Sequence, residues 1–379
     1  MRQPLQPSQN VNVMLSPVKA AVKLANIITA ASSAETIQLD AATHLALFDD
    51  TLGRGGFGSV RSGELVDAKA NKSSRVAVKV ISHSSEEDGE EGSDRDDIER
   101  EIRAHRQLFD AASPPRHLLV ELLSYIHQPS RSLLVLELVD GAKELQCLVD
   151  ESADGRLAEA DARSIGLKLA QALAFCHSQG VAHLDIKPGN VLVSRSSADC
   201  SDHAADEDAL HRSWSVRLID LGCADLFDPS DVSEAWVEEA GGTDNYMAPE
   251  RHFDDDERGF LAPHADVYGL GCVYFFMLHG FAPYDWAAAH TDAASAEVIR
   301  AVRAGALPFG ALDENGRPRP MPSDDARDLV SAMTRAEPLE RPSAAVVAEH
   351  RWLQQQHELA PSADHAEAAL AEQLGRLAM

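Results

Sequence analysis

The most informative stretch of the chain is His183-Leu184-Asp185-Ile186-Lys187-Pro188-Gly189-Asn190-Val191-Leu192. Its proline and glycine indicate a tight loop, in which Asp185 stands five residues before Asn190. That spacing can place one carboxylate near an incoming hydroxyl and one amide oxygen on a metal ion. The loop is therefore a candidate for acid–base and metal chemistry at once.

A second acidic motif follows, Asp220-Leu221-Gly222, directly after the predicted apolar strand 216–219. Asp220 offers another oxygen ligand. Magnesium prefers oxygen ligands and shares them with substrate phosphates, so two protein ligands, Asn190 and Asp220, are enough. Taken alone, Asp220 is equally well explained as a turn residue.

Upstream, the segment Gly53-Arg54-Gly55-Gly56-Phe57-Gly58-Ser59-Val60 is rich in glycine. The glycines at 53, 55 and 58 allow the backbone to approach phosphate oxygens, and Val60 offers a branched side chain to a flat base. A hairpin that binds no ligand explains the segment as well.

The next predicted strand, Val76-Ala77-Val78-Lys79, carries one lysine among apolar residues. Such a lysine needs a counter-charge, and the helical pattern Ile98 to Leu108 offers Glu101 as the best-placed acid. The ion pair would hold the Lys79 ammonium on the α- and β-phosphates of a nucleotide. The alternative is a solvated lysine and a glutamate on an outer helix face.

In this order, and followed by Ala248-Pro249-Glu250, the motifs resemble the eukaryotic protein kinase family, Ser/Thr type, over about residues 47 to 353. The resemblance implies an α+β, bilobal fold. A small β-rich N-lobe with one main helix takes residues 47 to about 139, and a larger helical C-lobe takes about 140 to 353. Residues 1–46 would be an N-terminal extension, partly disordered with a candidate helix, and 354–379 a helical tail.

The resemblance also implies the activity, transfer of the ATP γ-phosphoryl group to Ser/Thr hydroxyls of proteins, with Mg²⁺. Lys79 and Glu101 would position the nucleotide, Asp185 would be the catalytic base, and Asn190 and Asp220 would hold the metal. Lys187 resembles the lysine that Ser/Thr kinases place near the transferred phosphate, and Thr243 is of the same type. The positions implied for ATP are Gly53, Gly55, Gly58, Val60, Ala77, Lys79, Glu137, Val139 and Leu192.

The family pattern implies two structural pairings as well. Glu250 would pair with Arg341, and Asp266 would anchor the catalytic loop from a central helix. Both are roles in holding the fold.

The chain departs from the family at Leu184, where many members have an arginine. The basic site that would bind a phosphate on the segment from Asp220 to Glu250 therefore lacks one guanidinium group. The segment itself is rich in acidic residues. We therefore expect activity that does not depend on phosphorylation of this segment. His105 lies where the helix normally has an apolar residue. This departure leaves open an alternative function, that of a pseudokinase-like scaffold that binds partners without turnover.

The charge composition limits the classes of partner that the protein can bind. The chain has 379 residues with 34 Lys and Arg against 61 Asp and Glu, a net charge of −27, which argues against the basic face that nucleic acid requires. We expect a monomer acting on protein substrates, among them proteins with basic segments. The acidic stretch 84–97 and the polar stretch 195–215 are predicted to be solvated loops.

Location is predicted from cysteine and apolar patterns. The apolar run 267–278 is too short to span a membrane. The five scattered cysteines form no CxxC pair, which favours a reducing compartment, cytoplasmic or nuclear. Residues 1–34 lack acids and weakly resemble an organelle transit peptide.

Overall fold

The computed structural model describes residues 34–55, 58–67, 69–70, 72–83, 93–195, 214–238, 240–252, 259–284, 292–310 and 319–355. The candidate N-terminal helix, the transit-peptide resemblance and the tail beyond 355 lie outside these residues. The chain forms two compact units. The first comprises the chain up to Arg106 together with Val120–Asp140, and the second comprises Gln107–Leu119 together with the chain from Gly141 onward. The first is rich in strands and the second in helices, which is the predicted α+β class.

The first unit is built on an antiparallel six-stranded sheet in the order β1-β2-β3-β4-β6-β5. Its strands are β1 Glu35–Gln38, β2 Thr43–Gly55, β3 Gly58–Asp67, β4 Lys72–Ser82, β5 Leu122–Gln128 and β6 Arg131–Glu137. The edge strand β1 lies among residues that the sequence assigned to the N-terminal extension. It pairs with β2 through a turn in which Asp40 Oδ1 accepts the N–H groups of Ala42 at 2.7 Å and Thr43 at 2.9 Å.

Strand β4 has two different faces because side chains alternate along a strand. Val76 and Val78 are fully buried in one apolar cluster of this unit. Ala77, Lys79 and Ile81 share the opposite face. There, Ile81 packs with Ile98 and Ile102 of helix α1 (Ser93–Phe109).

The prediction of a loop at 84–97 is wrong for its last five residues, because 93–97 belong to helix α1. The apolar pair Ile98 and Ile102, one turn apart, anchors the helix on the sheet, while Arg95 and Asp96 in its first turns stay exposed. The charge clustering at 93–97 therefore marked an exposed helical turn, and residues 84–92 lie outside the described ranges.

The second unit is mainly helical. Its helices are α2 Leu145–Asp150, α3 Glu159–Ser178, α4 Ala262–His279, α5 Asp292–Arg303, α6 Asp324–Met333, α7 Ala344–Ala348 and α8 Arg351–Gln354. Helix α4 is apolar on all sides and buried almost throughout, as expected for a helix inside a core. Among the described helices, none has both the length and the apolar character needed to cross a bilayer.

Short strands complete this unit. They are β7 Lys143–Glu144, β8 Val181–Ala182, β9 Val191–Arg195, β10 Trp214–Leu218, β11 Asp225–Leu226, β12 Trp236–Val237 and β13 Phe260–Leu261. Strands β9 and β10 pair from Arg195 with Trp214 onward, so the ends of the predicted loop 195–215 are strand residues. Trp214 is buried and its indole N–H donates to Asp161 Oδ1 at 2.7 Å, which explains the pairing. Residues 196–213 lie outside the described ranges.

Candidate active site

The loop after β8 is fixed by a buried acid of helix α4. Asp266 accepts the backbone N–H of His183 at 2.7 Å and that of Leu184 at 2.7 Å, and the ring of His177 lies 2.9 Å from the same carboxylate. A buried carboxylate is costly unless hydrogen bonds satisfy it. These contacts do so, and the anchoring by Asp266 expected from the sequence is present.

Asp185 lies at the centre of a closed group of polar side chains. Its Oδ2 lies 2.7 Å from Lys187 Nζ and accepts Asn190 Nδ2 at 2.9 Å. Its Oδ1 accepts the hydroxyl of Thr243 at 2.8 Å, and Lys187 Nζ in turn donates to Thr243 Oγ1 at 2.8 Å. We call Asp185, Lys187 and Thr243 the polar triangle. The carboxylate is held in one orientation, with a cation and a hydroxyl beside it.

Thr243 belongs to this geometry, although the sequence marked it only as typical of a Ser/Thr enzyme. It lies 58 residues beyond Asp185. Its position five residues before Ala248-Pro249-Glu250 was the available signal. The contact itself follows from how the chain folds back, which a motif does not state.

Asn190 and Asp220 are brought together by the backbone. The N–H of Ile219 donates to the carbonyl of Asn190 at 3.0 Å, so the residue before Asp220 is tied to Asn190. Both N–H bonds of the Asn190 amide are used, one to the Asp185 carbonyl at 2.8 Å and one to its carboxylate at 2.9 Å. Its Oδ1 is therefore the atom suited to a cation.

The donor chemistry of this pair fits a hard divalent cation, because it consists of one carboxylate and one amide oxygen. Within the residues that the structure describes, no cluster of three or more His, Cys, Asp or Glu side chains could hold a metal ion by itself. A cation held here would thus need further oxygen ligands, which phosphates supply.

The predicted ion pair of the first unit is present. Lys79 Nζ lies 2.9 Å from both Glu101 oxygens, and the two side chains are only 8% and 3% exposed. The strand face of Lys79 and the inward face of α1 bring them together. A buried ion pair adds little net stability over an apolar pair, so stability alone does not explain it.

Glycine is required by the fold at only one of the three predicted positions in the hairpin β2–β3. Gly58 has φ +135°, and a Cβ there would lie 2.1 Å from the Val80 carbonyl. Among the described atoms, a Cβ at Gly53 or Gly55 would meet nothing within 4 Å. The space beside these two glycines is open, which fits a backbone that a phosphate approaches.

The predicted base-contacting residues are half-buried. Val60 lies opposite Lys79 in the register of β3 and β4, so Val60 and Ala77 share its face. Glu137 ends β6 and its N–H donates to the carbonyl of Glu121 at 2.9 Å, with Val139 following. Leu192 lies in β9 of the other unit, opposite Arg217.

The segment after Asp220 is held by apolar and ionic contacts. Leu184 is 2% exposed and belongs to an apolar cluster with Cys223 and Val237 of this segment and Phe260 of β13. Glu250 pairs with Arg341 through two contacts of 2.6 and 2.7 Å, as the family pattern implied. The position that is usually an arginine is thus filled by a core side chain.

The fold of the two units and these clusters define a protein kinase. The protein kinase domain family matches residues 47–353, and the chain belongs to that family. Members of this family use ATP with a divalent metal and act on proteins. The recognition made from the sequence is thereby confirmed.

The curated relatives of the chain are named as protein kinases. The chain is 29% identical over 309 residues to serine/threonine-protein kinase PKZ1 of Phytophthora infestans, covering 80% of this chain and 69% of that protein. It is 26% identical over 310 residues to calcium-dependent protein kinase 14 of Arabidopsis thaliana, covering 80% and 48%. It is similar to calcium-dependent protein kinase 16 of Oryza sativa subsp. japonica at 28% over 312 residues, covering 81% and 47%. The chain spans about half the length of these calcium-dependent relatives.

Proposed function

We propose that the chain is an active Ser/Thr protein kinase that uses ATP and Mg²⁺. The observation that carries the proposal is the polar triangle. It combines a satisfied carboxylate, a lysine ammonium and a threonine hydroxyl, all within 2.8 Å of their partners. The name of the Phytophthora infestans relative, a serine/threonine-protein kinase, supports the choice of Ser and Thr as substrates.

In this proposal Asp185 orients the substrate hydroxyl and accepts its proton. The oxygen of that hydroxyl forms a bond to the γ-phosphorus while the bond from phosphorus to the bridging oxygen of ADP breaks. Lys187 neutralises the charge that develops on the transferred group. Magnesium, held by Asn190 and Asp220 together with phosphate oxygens, supplies further charge neutralisation when it is bound.

The first unit contributes nucleotide contacts. Lys79, oriented by Glu101, would bind the α- and β-phosphates, and the hairpin with Gly53 and Gly55 would approach them through its backbone. Val60 and Ala77, half-buried on the face of Lys79, would contact the adenine. The adenine contact implied for Leu192 stays a prediction. Glu137 and Val139 would offer backbone groups to the base.

The proposal includes independence from phosphorylation of the segment from Asp220 to Glu250. Leu184 contributes apolar packing where an arginine would bind a phosphate, so the segment is held without charge-assisted Arg–phosphate bonds. Acids along it, such as Asp225 and Asp228, would also repel a phosphate. Monomer state and a preference for basic segments stay predictions.

The test uses the purified chain treated with phosphatase, [γ-³²P]ATP with Mg²⁺, and peptide arrays that differ only in Ser, Thr or Tyr at the acceptor. We expect label on Ser and Thr peptides at a rate that phosphatase treatment leaves unchanged. Label on Tyr alone, or its loss after phosphatase treatment, would contradict the corresponding part. Nucleotide binding without any transfer would favour the scaffold alternative.

A further inference from the structure

Arg251 makes a set of contacts that the kinase motifs do not account for. It ends the short turn Pro249–Arg251, directly after the Ala-Pro-Glu motif. Its Nη1 donates to the carbonyl of Leu184 at 2.8 Å. Its Nη2 donates to the carbonyls of Ala240 at 2.9 Å and Gly241 at 2.6 Å. One guanidinium thus bonds two separate stretches of backbone.

The first of these stretches leads into the catalytic aspartate. Leu184 has φ 63°, in the left-handed region that a leucine rarely adopts. Its N–H is held by Asp266 Oδ1 at 2.7 Å and its carbonyl by Arg251. That carbonyl belongs to the peptide group that joins Leu184 to Asp185. Such a conformation persists only where the surroundings fix it, and Arg251 is one of the two charged groups that do so.

The second stretch leads into Thr243, the hydroxyl that donates to Asp185. Ala240 and Gly241 precede it closely, so the guanidinium holds the chain on both sides of the Asp185–Thr243 contact. The approach is close. A Cβ at Gly242 would lie 3.0 Å from Arg251 Nη2 and 3.2 Å from the Leu184 carbonyl.

The surroundings of Arg251 suit a planar group. The guanidinium carbon lies 4.8 Å from the centre of the Phe260 ring, and Phe260 belongs to the apolar cluster that contains Leu184. A flat guanidinium can stack on the ring and donate from two nitrogens in fixed directions. A lysine ammonium has neither property, although it carries the same charge.

We propose that Arg251 is a positioning residue that fastens the segment before Thr243 to the catalytic loop through backbone carbonyls. In many family members an arginine at the position of Leu184 joins the catalytic loop to this segment by binding a phosphate on the segment. In this chain Arg251 makes the connection without a phosphate. The inference rests on the proposed function for its catalytic consequence, and on the described contacts alone for its structural part.

The structural part is tested by proteolysis, which needs neither ATP nor turnover. Protease Glu-C cleaves after Glu234 and Glu238, both in the segment that Arg251 fastens. We expect the full chain carrying Arg251→Lys to be cut there faster than the wild type. The matched control is Arg335→Lys, since Arg335 is an exposed arginine whose Nη1 also donates to a carbonyl, that of Glu340 at 3.1 Å. Equal rates at these sites for wild type and Arg251→Lys would overturn the proposal.

The catalytic part is tested by kinetics on phosphatase-treated proteins. We expect Arg251→Lys to lower kcat for a Ser peptide at least about tenfold, because small misplacements of reacting groups are costly. The KM for ATP should stay within about threefold and the melting temperature within a few degrees, as expected for a loss confined to the chemical step. An unchanged kcat per folded molecule, or a fall matched by unfolding, would overturn a positioning role.

The two experiments separate the failures. If the wild type transfers no phosphoryl group, the proposed function fails while the Glu-C comparison still decides the fastening by Arg251. If the wild type is active and Arg251→Lys equals it in both assays, the proposed function stands and the inference about Arg251 fails.

Discussion

Asp185 is the residue on which turnover depends most directly. Replacing it by asparagine keeps the shape but removes the proton acceptor and one charge beside Lys187. We expect Asp185→Asn to lower kcat at least about 100-fold, the usual size of a general-base contribution, with little loss of stability. Steady-state phosphorylation of a Ser peptide, with the melting temperature as a control, measures this.

Asp228→Asn is the matched control for that change, because it makes the same substitution in the same unit of the chain at an exposed residue. It should leave kcat unchanged. Equal activity of Asp185→Asn and Asp228→Asn would remove Asp185 from the mechanism.

The pair Lys79 and Glu101 separates stability from function. Lys79→Met leaves a buried carboxylate without its main cation, which should cost about 3–5 kcal/mol of unfolding free energy. The double variant Lys79→Met with Glu101→Leu removes both charges, and buried pairs replaced in this way are often neutral in stability. We therefore expect stability to recover and activity to stay lost, as measured by urea unfolding and peptide phosphorylation.

The result would be read against the single variant. Recovery of activity in the double variant would show that the ion pair serves the fold alone. A double variant as unstable as Lys79→Met would contradict the account of the buried charge.

At the scale of elements, helix α4 carries a pH-sensitive residue at its end. His279 is fully buried, with its ring stacked on Phe275 at 4.1 Å between centres and its carbonyl bonded to Arg319. Burial lowers the pKa of His279 to about 4. The unfolded chain, with a pKa near 6.5, then binds the proton more readily than the folded one, so stability falls as pH drops from about 6.5 to 4.

The size of this effect is at most about 3.5 kcal/mol, from about 1.4 kcal/mol for each unit of a pKa shift from 6.5 to about 4. Burial also lowers the pKa of His252 and that of His264, so the wild type alone does not isolate His279. His279→Phe should show a shallower loss of stability on acidification. The measurement is urea unfolding at pH 7, 6, 5 and 4, and parallel curves for the two proteins would contradict the assignment.

The same scale shows what sequence could and could not predict. Short motifs predicted Lys79, Asp185, Asn190 and Asp220 as site residues, and a helical pattern predicted Glu101; the contact between Lys79 and Glu101 is present. Arg251 and the pairing of β1 with β2 were missed. The contacts of Arg251 depend on where distant backbone carbonyls arrive, and β1 is stabilised by an edge pairing that four residues do not reveal. A local sequence pattern predicts which residue types have a chemical role. Contacts such as those of Arg251 depend on how distant parts of the backbone come together in the folded protein.

At the scale of the whole molecule, the net charge of −27 is the property that a substrate meets first. An acidic protein attracts basic peptides at low salt, and the attraction fades beyond about 10 Å at 0.1 M ionic strength. We expect the KM for a basic Ser peptide to rise several-fold between 50 and 500 mM NaCl while kcat changes little.

The comparison is a neutral peptide of the same length and acceptor, whose KM should respond far less to salt. The same salt dependence for both peptides would contradict electrostatic attraction of basic segments.

The pairing of Arg195 with Trp214 determines the free-energy cost of changing the number of residues between them. The two residues are paired across the β9–β10 ladder, and the Trp214 indole N–H donates to Asp161 Oδ1, so the two ends of the stretch between them are held together. Each doubling in the length of a loop closed in this way costs only about 0.6 kcal/mol. Because the ends are fixed by this pairing, we expect changes in the number of residues between them to cost little folding free energy.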